Sequence, residues 1–467
     1  MAYTHHDRLT ALDSSFLDLE TAGVHMHVGS VGILEPGELA GPDGGIDFDR
    51  VLELTEAGLQ RAPRFRQKLE RIPVTGRPIW VDDEHFNLRY HVRHTALPAP
   101  GDERRLKRLA GRIMSQKLDR SRPMWEFWLV EGLEGERVAV ITKVHHCLVD
   151  GISSVDLLGA FMGTSPDWRP ERSDYRWMPR PKPGALELLG GELWRRASLP
   201  ARVLSGAAAD LRHPLRTLGR GSHAAAGFAG ALGKALSPAS ETPLNVPIGP
   251  HRRFDWTRFD LGVVREIKQK LGGTVNDVVL ACVSGALRSY LQRRQVTLNG
   301  LDVRALVPVS TRSDEERGKL GNRVSMIVAP LPVSEADPRK RLARVGDTMR
   351  DLKGSGEVEG ASALEELSDW TAGSLLTSMS RLGATRRAFN LVVTNVPGPQ
   401  QAIYMCGARL LESYPLVPLF ENQALGVALF SYDGGLFWGF NADWDAVPDL
   451  HDFVLDIEHE FETLRKL

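Results

Sequence analysis

Two adjacent histidines, followed by an aspartate and a glycine, are the residues of this chain best suited to do chemistry. They lie in the run Lys143-Val144-His145-His146-Cys147-Leu148-Val149-Asp150-Gly151. An imidazole is largely neutral near pH 7, so it can take a proton from a hydroxyl as that oxygen attacks a carbonyl. This chemistry needs no metal. It also needs no protein nucleophile when the acyl donor arrives already activated as a thioester. Neighbouring side chains on a strand point to opposite faces, so only one of His145 and His146 readily faces a given cavity. Cys147 stands beside them and invites a thiol-nucleophile reading, which requires an accessible thiolate. Alternation turns Cys147 away from His146. A structural histidine at a strand end is the plain alternative for His146.

The elements around the run alternate between strand and helix signals. Residues 127–130 and 138–144 read as strands joined by a Gly-containing turn. Asp150 and Gly151 supply a turn, and residues 152–161 carry helical spacing at Val155, Leu157, Leu158 and Phe161. Upstream, residues 47–59 read as a helix with Asp47 as N-cap, and residues 104–118 as a second amphipathic helix. The second half resumes the pattern. Strands are expected at 254–261, 303–309, 324–331, 391–394, 424–432 and 436–441. Helices are expected at 263–270, 274–293, 338–352, 362–380 and 448–464. The helix from Thr274 is opened by the cap-like pair Asn276 and Asp277. Between the halves, residues 177–250 are rich in Pro, Gly and Ala. They also carry Arg195, Arg196, Arg202, Arg212, Arg216 and Arg220, which suits a connector with short basic helices at 186–204 and 207–218. The expected organisation is an α/β (α+β) chain: an N-terminal domain over 1–176, a connector over 177–250 and a C-terminal domain over 251–467.

Composition bounds the function. The 467 residues contain 42% hydrophobic and 25% charged residues, which suits folded domains rather than disorder. The formal net charge of −1 gives no basic excess for nucleic acid. Three scattered cysteines, Cys147, Cys282 and Cys406, make neither a disulfide framework nor a zinc set. His25 and His27 face one side of a strand, but no further ligand pattern supports a metal there. No signal-peptide pattern opens the chain and no apolar run reaches membrane-spanning length. A cytoplasmic protein is expected, free to sit at a membrane surface.

The HHxxxDG run resembles the signature of the wax ester synthase/diacylglycerol acyltransferase family, within the coenzyme A-dependent acyltransferases that include chloramphenicol acetyltransferase. The resemblance extends along nearly the whole chain. Residues 9–17 (LTALDSSFL) look like the family's start. Arg122-Pro123-Met124-Trp125-Glu126 is similar to its PLW block, with Met124 in place of the usual Leu. Asn276-Asp277 matches its ND block, and Gly321-Asn322 and Asn395-Val396-Pro397-Gly398-Pro399 match two later ones. The spacing most resembles actinobacterial triacylglycerol synthases.

That resemblance implies two chloramphenicol acetyltransferase-like domains with a substrate tunnel at their interface. It implies transfer of a long-chain acyl group from acyl-CoA to diacylglycerol, and also to fatty alcohols, at His146. No cofactor is expected, since acyl-CoA is a substrate. His145 is expected to support the loop or the tunnel wall. Asp150 and Gly151 hold the loop, and Arg304 is the expected partner of Asp150, because related acyltransferases pair the motif aspartate with a distant arginine. Asn276 and Asp277 are candidates for the oxyanion or substrate site, with helix capping as the plain reading. Asn395 is another, with turn chemistry as its plain reading. Trp125 belongs to the core or the tunnel wall. Two rivals stand beside this reading: an acyltransferase of the same fold acting on another acceptor, and a non-catalytic scaffold on a membrane or lipid droplet.

Overall fold

The computed structural model describes residues 6–35, 37–41, 45–149, 159–170, 177–194, 237–310, 324–354 and 387–467. Three sheets organise them. A small one joins β1 (Asp7–Arg8), β3 (Gln67–Arg71) and β4 (Pro78–Asp82) in the order β1-β4-β3. The first large sheet contains β2 (His27–Leu34), β5 (Val92–Ala96), β6 (Trp125–Glu131) and β7 (Val138–His145). The second contains β8 (Arg252–Asp260), β9 (Val303–Ser310), β10 (Val324–Leu331), β11 (Leu391–Pro397), β14 (Leu425–Tyr432) and β15 (Gly435–Asp443), in the order β10-β9-β11-β14-β15-β8.

Local sequence explains these elements. β7 is buried along nearly its whole length, and accordingly lies between β2 and β6. The helix Glu103–Met114 is capped by Asp102, whose carboxylate accepts the Arg105 amide at 2.8 Å. Leu106, Ala110 and Ile113 make its buried stripe. The helix Val275–Arg293 is buried almost all round, and packs in one core with the helices Pro338–Gly354 and Leu450–Lys466. Its cap is Thr274, which closes a capping box with Asp277. Asn276 therefore sits inside the first turn, two positions beyond the residue that caps the helix.

The largest departure from the expected division concerns two strands of the second half. β12 (Tyr404–Met405) and β13 (Ala408–Leu416) leave their own sheet and complete the first one, whose order is β12-β13-β2-β7-β6-β5. β13 runs antiparallel to β2, with Leu416 opposite Gly29 and Ser413 opposite Gly32. The span 251–467 is thus not one self-contained domain. Alternation and turn chemistry in a single sequence cannot report which sheet a strand joins.

The connector also divides. Residues 177–194 pack on the small sheet: Arg180 clasps Asp82 at 2.9 Å, and Leu188 joins Ile72, Ile79 and Val81. The helix expected from residue 186 is seen over residues 185–194. The helices expected at 207–218 and 362–380, and most of that at 152–161, lie outside the described residues.

The two large sheets meet along a tight seam. Arg252 at the start of β8 donates to Gly249 O (2.7 Å) in its own half and to Gly23 O across the seam. Its amide donates to Ser115 Oγ at 2.8 Å. Further along, Gly439 of β15 passes so near β13 that a Cβ there would lie 1.8 Å from the Pro415 carbonyl oxygen. That atom is backbone on a paired strand and cannot swing aside. Gly439→Ala should therefore push the sheets apart and destabilise by about 2 kcal/mol or more. Thermal melting of the purified variant checks this, and an unchanged midpoint would refute the close approach.

Candidate active site

β7 ends at His145, and the chain turns at once into a helical turn, His146–Val149. Two backbone hydrogen bonds fix that end from opposite sides. The His145 amide donates to Met124 O (3.0 Å), just before β6, and the His146 amide to Met26 O (2.9 Å), just before β2. The rings then separate. His145 is 1% exposed and faces the core, across from its register partner His27. His146 is half-buried, with its ring 4.0 Å from that of Phe16, centroid to centroid. Phe16 comes from the helix Ala11–Leu19, which packs against the turn.

The environment of His145 assigns its tautomer. Its Nδ1 accepts the Cys147 amide at 3.3 Å, so the proton belongs on Nε2. Nε2 lies 3.5 Å from Oε2 of Glu20, the residue that closes the Ala11–Leu19 helix. Burial lowers the pKa of His145, and Glu20 only partly opposes this. The ring is therefore neutral at pH 7. Burial alone would raise the pKa of Glu20, but hydrogen bonds from His145 and Arg120 outweigh it, and the value falls to about 2. Arg120 Nε donates to Glu20 at 2.9 Å, and Lys117 lies 3.2 Å away. Nothing local in the sequence marks Glu20, because its partners lie about a hundred residues further on.

Other titratable groups nearby are also held in one state. Burial, followed by the charge of Arg252, lowers His25 to about 4, and burial drives His27 well below its ordinary value. His25 is fixed by Ala22 O at 3.1 Å and lies before β2 rather than on it. Among the described residues, no group of three or more His, Cys, Asp or Glu is arranged to hold a metal ion. Cys147 is buried, and burial, then the charge of Asp13, pushes its thiol well above the ordinary range. A thiol so protonated is a poor nucleophile. Lys143, two residues before the histidines, is fully buried and donates to Ile113 O (3.0 Å) and Gln116 O. It places a cation at the C-terminal end of the Glu103–Met114 helix, where carbonyl dipoles converge. Burial lowers its pKa to about 8.

The remaining candidates are spread more widely. Trp125 is 0% exposed, donates its Nε1 hydrogen to Phe65 O (2.7 Å) and stacks on His91. It is packed as a core residue, the plainer of the two readings given for it. Asn276 is half-buried and makes no side-chain hydrogen bond among the described residues, whereas Asp277 is committed to the capping box. Asn395 lies within β11, opposite Leu429 of β14, so the turn reading is corrected: the strand continues through Pro397. Asp150 and Gly151 lie outside the described residues. Arg304, on β9, binds Asp302 through Nε at 2.9 Å and Ser237 O at 3.0 Å. Asp302 is therefore its carboxylate partner among the described residues.

Comparison with known proteins matches this geometry to a family. The wax ester synthase/diacylglycerol acyltransferase catalytic domain model matches residues 9–279, and the C-terminal domain model of the same family matches residues 320–465. A probable diacylglycerol O-acyltransferase of Mycobacterium tuberculosis, tgs1, is 33% identical over 97% of this chain and 94% of its own. A second from that organism, tgs2, is 33% identical over 98% of this chain and 99% of its own. Among solved structures, the wax ester synthase/diacylglycerol acyltransferase from Marinobacter aquaeolei VT8 is 27% identical. It aligns with a TM-score of 0.69, covering 98% of this chain and 100% of that one. A condensation domain of the calcium-dependent antibiotic synthetase, 17% identical with a TM-score of 0.60 over 99% of this chain and 96% of that one, shares the fold. With the two models matching residues 9–279 and 320–465, the chain belongs to the wax ester synthase/diacylglycerol acyltransferase family.

Proposed function

We propose that this enzyme transfers a long-chain acyl group from acyl-CoA directly to diacylglycerol, with His146 as general base and no cofactor. Fatty alcohols are a second acceptor class. The observation that carries the reading is the unequal burial of two adjacent histidines: His145 is sealed in the core, whereas His146 is only half-buried. The acceptor hydroxyl is a poor nucleophile at neutral pH, while the thioester is a good donor. The missing ingredient is proton removal. His146 takes the hydroxyl proton as the oxygen bonds to the thioester carbon. The tetrahedral intermediate then expels the coenzyme A sulfur, which receives that proton. A donor for the oxyanion is still needed, and Asn276 or a backbone amide fills that place. The protonated, buried state of Cys147 supports direct transfer over an acyl-cysteine route.

His145 and Glu20 act as positioning residues. The neutral ring braces the turn through the Cys147 amide and faces a carboxylate held by two cations. Asp150, the next residue in sequence after that turn, is assigned a geometric role. The acceptor is lipid, so the enzyme works in the cytoplasm at a membrane or droplet surface, with the basic connector meeting anionic headgroups. No helix among the described residues is long and apolar enough to cross a membrane.

His146→Ala should lower turnover at least about 10²-fold while melting and acyl-CoA binding persist. His145→Ala should cost less in turnover and more in melting temperature, since it empties a core position. Thiol release scored together with lipid product measures both. Trapping a stable acyl-enzyme, or finding His145→Ala dead while His146→Ala turns over, overturns the mechanism. Glu20 gives a pH test. Its folded pKa is depressed, so its stabilisation is complete above the ordinary glutamate value near 4.5 and is lost as pH falls toward about 2. Glu20→Gln should melt lower than the parent at neutral pH, and the gap should narrow on acidification. Parallel melting curves across that range would remove Glu20 from the site.

A further inference from the structure

We propose that the tip of the β3–β4 hairpin and the outer face of residues 185–194 together form the surface that seats this enzyme on anionic lipid. This rests on the reading above that the acceptor is held in a lipid phase, and it names the residues that meet that phase.

The hairpin turn between β3 and β4 carries Val74, which is 95% exposed. Its φ of 65° lies in the left-handed region, where a β-branched side chain is rarely found. The turn closes by Gly76 N donating to Ile72 O at 2.9 Å. Turn chemistry favours Gly or Asn at such a position, and solubility favours a polar group. Val74 satisfies neither preference. It is a protruding apolar group kept in a strained conformation.

The helix over residues 185–194 packs on the same sheet with one face and leaves the other bare. Leu188 and Glu192, four residues apart, point inward: Leu188 enters the cluster of Ile72, Ile79 and Val81, and Glu192 binds Arg8 at 2.5 Å. Leu186 and Leu193, seven apart, share another face and are 86% and 68% exposed. Trp194, beside them, is 74% exposed. Glu192 also lies 3.9 Å from Arg77, which pairs with Ile72 across the hairpin turn. The bare end of the helix is thus fastened beside the Val74 tip.

Charge selects the occupant. Arg71, beside the turn, is exposed and has no carboxylate partner among the described residues; it donates to Gly76 O at 2.8 Å. The sequence directly after Trp194, residues 195–236, holds seven basic residues against the single acid Asp210. The net charge of the whole chain is only −1, so this excess is local. Protruding Val, Leu and Trp side chains, with Arg71 beside the turn and a basic stretch next in sequence, suit a headgroup layer, which adapts to their shape and favours Trp at its boundary. A folded protein partner would require a complementary groove instead.

The test is flotation of the full chain with equimolar phosphatidylglycerol/phosphatidylcholine vesicles, without substrate. The parent should float, and added salt should release it. Val74→Asp and Leu193→Asp should each weaken binding by about tenfold or more, as expected for losing one inserted aliphatic side chain. Val74→Gly should also weaken binding while easing the turn, so its loss is not misfolding. All three should melt no lower than the parent and keep its turnover of detergent-dispersed substrates. If the parent does not float, the lipid-surface reading itself fails. If it floats and the Asp variants float equally well, the surface lies elsewhere. If the variants instead lose self-association or thermal stability with flotation unchanged, the face is covered by a second copy or by residues 195–236, and the proposal is overturned.

Discussion

Two consecutive amides bonded to opposite neighbours set the geometry on which the site depends. His145 N–H goes to the strand side of Met124 and His146 N–H to that of Met26. With both donors committed, the backbone at the end of β7 has no freedom to rotate. One ring must then enter the core while the next leaves it. A solitary histidine at a loose strand end would sample several directions. Here the outward ring owes its direction to the inward one.

That arrangement obliges the core to accept a polar ring. The ring gains a donor from the Cys147 amide and faces the Glu20 carboxylate. The carboxylate is itself buried and is tolerable only because Arg120 and Lys117 reach it from the rim. Lys143 meets the same difficulty differently, spending its charge on the carbonyls at a helix end. Histidines 25, 27 and 145 are kept neutral by burial, while Glu20 is kept ionised. The fixed charges therefore lie beneath the turn that carries the half-buried His146 ring.

Much of this was legible in the residues, and what was not has physical reasons. Periodicity located β7, β9 and β10, and the helices at Asp47 and Asp102, because their patterns are local. Strand alternation separated His145 from His146. Alternation carries no information about partners far along the chain, so Glu20 was missed; residues 408–416 were not read as a strand, and the span 251–467 was assigned whole to the second half. Capping preference marked the right turn at residues 274–277 but one residue type too many: Thr274 caps, and Asn276 does not. Asn395 misled for a related reason. A following Pro-Gly-Pro signals a turn, yet the strand before it runs through Asn395 to Pro397. Trp125 was ambiguous because core and tunnel walls demand the same hydrophobic residue.

The return of β13 into the first sheet also orders events during synthesis. β2 and β7 emerge early and can pair, but the other edge of β2 has no partner until Ala408–Leu416 leaves the ribosome. At roughly 5–20 residues per second, that interval is on the order of tens of seconds. For that time an apolar strand edge stays unpaired, and such edges recruit other chains. The nascent first half is therefore an incomplete sheet awaiting its last strand, and its solubility in that interval falls to whatever shields β2.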